Sequence, residues 1–447
     1  MSAVNTAPKV SDETIRRAAF ASAIGSAVEY YDFAIYSAAA ALVFNKLFFP
    51  EFNDAVGVLA AFATYAVGFL VRPLGGLYFG SRGDRFGRRG VLMATVLLMG
   101  GASTAIGLLP TYESIGILAP ILLVVLRMVQ GFGAGAEQSS ATTLMSEMAA
   151  DNRRGYLSAI PFVGIWCGLL FATGSFALIG LADDEAIQGG LWRIPFLVSI
   201  VLLFVGVYIR RHLPETPEFE ALEKTAKTSG RPISELLATE RRGLLVGFGV
   251  RIGEAGPSNL FSSFSLSYLA MTVGVAAYVG PLAISVASAC AIVTLLISAK
   301  LADRFGRRPV LFATSLFQVA WAFPCFALMQ TGNTVIIILA VSLAVSCGVA
   351  GMQGAQCAYL TELFDARHRM AGVGIAREFS VVLVGGTAPF VASGLLILFD
   401  NHWWPVALYI VFLSLVTFVA AYFGPETARQ PLRNAAAPVM AGEDTIA

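Results

Sequence analysis

The chain has 447 residues, 57% of them hydrophobic and only 13% charged, with a net charge of +1. Soluble domains carry roughly 25% charged residues. Here the apolar residues gather into about twelve runs of about 20 or more, each able to cross roughly 30 Å of hydrocarbon as a helix. A string of soluble domains is thereby excluded, and the runs are too long for the ~10-residue strands of a membrane barrel, which leaves helices that satisfy their own backbone.

In chain order the predicted spans are 19–48, 56–80, 90–110, 116–146, 156–181 and 191–211, then 244–272, 278–299, 309–330, 334–361, 371–398 and 403–424. Residues 1–18 are polar at their start and read as a segment with no cleavable signal. The longest polar connection, 212–243, divides the chain into two six-helix bundles, 19–211 and 244–424, and 425–447 forms a polar tail without heptads. All but six of the 30 Lys and Arg fall in 1–18, 81–89, 147–155, 210–243, 300–308, 362–370 and 425–447, all on one side. By the positive-inside rule these are cytoplasmic, and both termini with them. The five cysteines stand singly inside apolar runs, so neither disulfides nor a metal is expected, and no cofactor is called for.

The segment Asp84-Arg85-Phe86-Gly87-Arg88-Arg89 returns unchanged 219 residues later as Asp303-Arg304-Phe305-Gly306-Arg307-Arg308. Glu147 and Arg154 return as Glu362 and Arg369, and Pro214-Glu215-Thr216 as Pro425-Glu426-Thr427. Three echoes in one order mark two copies of one unit. In the first copy Gly80 and Gly87 permit tight turning, and Asp84 suits an arginine or a helix N-terminus of the other half. Both copies are therefore candidate gates, although they also serve as plain topology anchors. The second begins with Ala299 where the first has Gly80, which predicts a looser approach there.

These loops resemble the signature loop of the major facilitator superfamily. Arg127-Met-Val-Gln130-Gly131-Phe-Gly133-Ala-Gly135 resembles its fourth-helix motif. Glu29-Tyr30-Tyr31-Asp32-Phe33, Phe69-Leu-Val-Arg72-Pro73-Leu-Gly75-Gly76, Gly135-Ala-Glu137, Leu213-Pro-Glu-Thr-Pro-Glu-Phe219, Glu362-Leu-Phe and Gly385-Gly386-Thr-Ala-Pro389 are similar to its metabolite:H⁺ symporter branch. The resemblance covers nearly all of residues 16–430. It implies an all-α membrane protein of twelve transmembrane helices in two pseudo-symmetric six-helix bundles, importing solute with protons by alternating access in a bacterial cytoplasmic membrane.

Charged groups inside spans are functional candidates by default. Glu29 and Asp32 share a helix face that Tyr36 extends. Asp32 is the first candidate proton carrier, the alternative being a fixed salt bridge with Arg127. Glu29, Glu137 and Glu254 are further proton candidates; Glu137 alternatively bonds within its own bundle, and Glu254 pairs with Arg251. Tyr36, Arg72, Arg127, Gln130, Arg251, Asn259, Gln353, Gln356, Tyr359, Arg377 and Glu378 are candidate substrate contacts. Arg72 equally suits a brace for the inner gate. In the seventh span Gly253, Gly256 and Pro257 predict a kink. The glycines after Gln130 suit close helix packing rather than a phosphate cradle. His212, His368 and His402 lie at helix ends and are given no proton role.

No pattern for an ATPase, hydrolase or nucleic-acid partner is present, so an enzyme is not expected. Four intramembrane arginines point to a small organic anion, mono- or dicarboxylate, carried with protons by a monomer among membrane lipids. The other readings are a zwitterion or osmolyte transporter of the same branch, a sugar carrier, a drug/H⁺ antiporter and a receptor that binds without transport.

Overall fold

The computed structural model describes residues 12–134, 137–150, 152–212, 233–365, 368–430 and 432, and at 12, 77, 80–92, 137–140, 209–212 and 233–234 it describes the backbone alone. The described residues form helices joined by short connections. The long helices are α1 (Asp12–Leu42), α2 (Asp54–Gly76), α3 (Met93–Leu108), α4 (Leu118–Ala134, followed by Glu137–Met148), α5 (Arg154–Ile179) and α6 (Asp184–Tyr208). After the short helix Ile233–Thr239 come α7 (Arg241–Asn259, prolonged by irregular turns to Val273), α8 (Val279–Phe305), α9 (Arg307–Met329), α10 (Thr334–Glu362), α11 (Arg369–Leu398) and α12 (Trp404–Phe423).

Backbone hydrogen bonding is helical without a break from Asp54 to Leu108. Yet Arg127 lies against the Tyr65 ring while Gln130, one turn on, bonds Ser103. A straight helix would part residues 65 and 103 by about 57 Å. The chain therefore doubles back between them, and α2 and α3 both flank α4.

Eight of the described helices are long and apolar enough to cross a membrane; α3 and α4 are apolar but shorter. The first helix of each half, α1 and α7, falls outside both groups. These two carry Glu29 and Asp32, and Arg251 and Glu254, all buried. The burial pattern is inverted relative to a soluble protein. Phe171, Leu178, Leu245 and Phe412 are more than three-fifths exposed, while Arg127 and Gln130 are wholly enclosed. Lipid covers such apolar flanks, and intramembrane charges turn inward.

Small residues set the spacing of α2 and α4. A Cβ added to Gly131 would stand 2.0 Å from the Gly68 carbonyl oxygen. The two backbones touch, which only glycine permits at that crossing. In the second half the helical turns widen to π-type at Leu260–Phe264 in α7, Ala344–Ala350 in α10 and Val381–Gly385 in α11. Such turns commonly mark functional stretches, and Pro257 just before the first removes one backbone donor.

Candidate functional site

The first half contributes two arginines in opposite circumstances. Arg72, on α2, donates from Nη2 to Glu29 Oε1 (3.2 Å) and from Nε to Glu378 Oε2 of α11 (3.1 Å), so it joins α1 to the other half. Arg127, on α4, makes no ion pair among the described residues. Its guanidinium lies 4.3–5.6 Å from the ring centres of Phe33, Tyr36, Tyr65 and Phe69. One of its nitrogens donates to Gln130 Oε1, and buried Nε and Nη2 have no hydrogen-bond partner among the described residues. Gln130 is a strut rather than an open contact. Its Nε2 donates to Ser103 Oγ (2.7 Å) and to the Asp32 carbonyl (3.3 Å), and the residue is wholly buried.

Asp32 accepts a hydrogen bond from Ser199 Oγ at 2.6 Å and makes no ion pair among the described residues. The salt bridge with Arg127 weighed from the sequence is not formed. Glu29 differs, since Arg72 holds it. Tyr36 donates to or accepts from Thr64 (2.6 Å), and its ring supports Arg127.

In the second half Arg251 pairs with Glu254 one turn on, as the alternative sequence reading has it. Gln353 Nε2 donates to Glu254 Oε1 (3.2 Å), and Gln353 Oε1 accepts from Trp166 Nε1 of α5 (2.7 Å). Arg377 lies 4.9 Å from the Phe162 ring centre, so α11 also meets α5. Asn259 Oδ1 accepts from Tyr65 Oη at 2.7 Å. Gln356 is turned to the Val250 carbonyl (2.7 Å). Tyr359 stands apart from this group, in a second apolar cluster with Val246, Leu363 and Phe364, against Gly424. Six residues along a helix turn through about 600°, so its side chain points away from that of Gln353.

Contacts between halves occur at three depths. Ser37 meets Ser263, and Thr173 meets Ser285 (2.8 Å), at the end far from the repeated loops. Tyr65–Asn259, Arg72–Glu378 and Trp166–Gln353 lie midway. At the loop end Asp303 accepts from the backbone N–H groups of Gly155 (2.8 Å) and Tyr156 (3.0 Å), capping the start of α5. Among the described residues the two halves thus touch at both ends and midway.

At that loop end Arg307 bridges Asp303 (2.7 Å) and Glu362 (3.0 Å). Arg154 pairs with Glu362 (3.0 Å), Arg369 with Glu147 (2.8 Å), and Ser146 bonds Thr361 (2.7 Å). Each arginine of the echo thus takes the glutamate of the opposite copy. Glu426, from the third echo, accepts from the N–H groups of Arg307 (2.9 Å) and Arg308 (3.0 Å). The close contact falls on Gly155, where an added Cβ would stand 2.6 Å from Arg307, 2.7 Å from Asp303 and 2.9 Å from the Ala299 carbonyl. Gly306 takes a φ of 112° to begin α9. Arg308 ties α9 to the end of α12 through the carbonyls of Ala421 and Tyr422, and Arg304 covers the Phe305 ring, so neither crosses between halves in these contacts. The side chains of Gly80, Asp84, Arg85, Gly87, Arg88, Arg89 and Glu137 lie outside the described residues.

Sequence reading missed the aromatic walls: Tyr65 and Phe69 beside Arg127, and Phe162 and Trp166 facing the second half. Tyr65, Phe69 and Arg72 are spaced as one helix stripe, which was a usable signal. Phe162 and Trp166 have no charged neighbour on their helix to single them out. Ser103 and Ser199 carry no signal beyond being polar.

The family model described as the Major Facilitator Superfamily matches residues 22–376 and 244–441. The shikimate transporter of Escherichia coli (strain K12) is 37% identical over 418 residues, 93% of this chain and 95% of that one. The proline/betaine transporter of the same strain is 32% identical, over 95% of this chain and 86% of that one. A solved D-xylose-proton symporter superposes with a TM-score of 0.71 at 18% identity, over 94% of this chain and 100% of that one.

Proposed function

This chain belongs to the major facilitator superfamily, in its metabolite:H⁺ symporter branch, and we propose that it imports a small organic anion together with protons. It is a multi-pass inner-membrane transporter and not an enzyme. The loop end, with both termini, is assigned to the cytoplasm on the basis of its arginines and lysines.

The observation that carries the anion is Arg127. Among the described residues, Arg72 and Arg251 are already balanced by Glu29, Glu378 and Glu254, whereas Arg127 has no carboxylate. A guanidinium fork with donors to spare suits a carboxylate. Similarity to a shikimate transporter supports this class. The relatives named for proline and betaine keep a zwitterion in view. A quaternary ammonium would seek an aromatic box, but here the guanidinium itself fills the box of Phe33, Tyr36, Tyr65 and Phe69, which favours the anion.

Drawing one negative charge inward against 100 mV costs ~2.3 kcal/mol, so protons must accompany it. Asp32 is the proposed carrier, because it can take up and release a proton without breaking an ion pair. Gln130 links it to Arg127, so proton and anion sites share one strut.

Proteoliposomes holding the purified protein test this with a panel of organic acids and betaine. Acid outside should stimulate carboxylate uptake, and a protonophore should collapse it. Arg127→Lys, which loses the fork, should weaken apparent affinity about tenfold or more, the equivalent of about 1.4 kcal/mol. Betaine uptake with no response to any carboxylate would overturn the anion reading.

A further inference from the structure

At the loop end, away from the central charges, three potential ligands converge. The side-chain ligand atoms of Glu240, Asp365 and His368 all lie within 4.8 Å of one another. They come from two places: Glu240 precedes the first turn of α7, while Asp365 and His368 stand three residues apart in the connection between α10 and α11, where Asp365 Oδ1 also accepts from the His368 backbone N–H (3.0 Å). His368 does not use its side chain to cap the helix it precedes.

His368 is 5% exposed, and among the described residues neither of its ring nitrogens has a hydrogen-bond partner. Nδ1 stands 3.2 Å from Asp365 Oδ1, near enough to bond but without the alignment. A buried imidazole of this kind ordinarily finds a partner. Two ligands about 2.1 Å from one tetrahedral ion stand about 3.4 Å apart, which is close to the separation observed. The nearby cations Arg241 and Arg242 are held on the carbonyls of Leu237 and Phe423, each at 3.0 Å.

We propose that Glu240, Asp365 and His368 form a binding site for a divalent transition-metal cation of the Zn²⁺ type, distinct from the transport site. One imidazole with two carboxylates matches such an ion better than Mg²⁺ or Ca²⁺, which take oxygen ligands. Water completes the shell on the half-buried side of Glu240 and Asp365. The ion joins the start of α7 to the start of α11. Arg369, next after His368, reaches Glu147 in the other half. A bound ion therefore steadies the residue beside a cross-half contact and favours the closed loop end.

The test uses the full-length purified protein in detergent and reads metal binding directly, so its outcome is separate from that of the uptake assay. Zn²⁺ titrated against a chromogenic chelator should saturate at one equivalent. His368→Ala should weaken that binding by about 100-fold or more, since even outer-shell partners are worth 10–100-fold. Asp365→Asn should weaken it too, and His402→Ala should leave it alone. Co²⁺ added to the wild-type protein should give a visible ligand-field band that one equivalent of Zn²⁺ removes, which keeps the test decisive if a variant fails to fold. Absence of saturable Zn²⁺ uptake by the wild type, of the Co²⁺ band, or of any difference in His368→Ala overturns the proposal.

Discussion

Asp32 and Glu29 are three residues apart on one helix, yet their surroundings separate them. Glu29 is fixed by a guanidinium at 3.2 Å, and Asp32 by a serine hydroxyl at 2.6 Å. Losing a proton from Asp32 disturbs hydrogen bonds to serine hydroxyls and no ion pair among the described residues, whereas neutralising Glu29 would leave Arg72 with Glu378 as its described carboxylate partner. Breaking a buried pair by removing one partner is costly, about 3–5 kcal/mol. Asp32→Asn should therefore keep the fold and keep exchange of labelled for unlabelled solute, while abolishing accumulation driven by a pH gradient. Accumulation equal to wild type would remove Asp32 from the mechanism. The charges themselves were legible, because a carboxylate inside an apolar run is conspicuous. Their pairing was legible in part: the spacing of three offers Arg251 to Glu254, which the fold realises, whereas the bridge from Asp32 to Arg127 is offered equally and aromatic rings surround that guanidinium instead.

Among the helices, the sequence conveyed the number of spans and the half-way division far better than the places where helices bend or touch. The crossing of α2 and α4 follows from Gly68 and Gly131, whose spacing alone could not say which helix each would meet. Gly131→Ala forces a methyl into a space 2.0 Å from a carbonyl oxygen. Overpacking of this kind typically costs about 1–3 kcal/mol, so thermal unfolding in detergent should move down by several degrees. An unchanged midpoint would mean that the crossing is looser than described. The kink expected from Pro257 has its counterpart in the π-type turn that begins at Leu260, but the wide turns in α10 and α11 carry no proline and left no mark in the sequence. The aromatic lining was hidden for a similar reason. Phe162 and Trp166 are spaced as any lipid-facing pair would be, and only the packing turns them inward.

For the molecule as a whole, the decisive arrangement is the exchange of partners at the loop end. Within each half Glu147 and Arg154, or Glu362 and Arg369, are seven residues apart, a spacing that suggests local pairing. The fold instead gives Arg154 to Glu362 and Arg369 to Glu147, with Ser146 and Thr361 meeting between them. These bonds must part when that face opens, so they bias a two-state equilibrium. Glu147→Gln should shift it toward the open face. The measurement is the labelling rate of Ser146→Cys by a hydrophilic maleimide, followed on its own peptide, with an increase of at least about fivefold expected. A rate matching the unaltered background would separate this contact from gating.

That crossing has a consequence for ancestry. Contacts in which residue i of one unit meets j of the other, and j meets i, are those of a two-fold symmetric dimer. Ser146 against Thr361, corresponding positions in the two copies, is where such an axis must pass. A single ancestral six-helix polypeptide would have needed only one Glu and one Arg to make both bridges with its twin. Fusion of two such genes would preserve an interface that already worked, and would free each copy to specialise in its own interior.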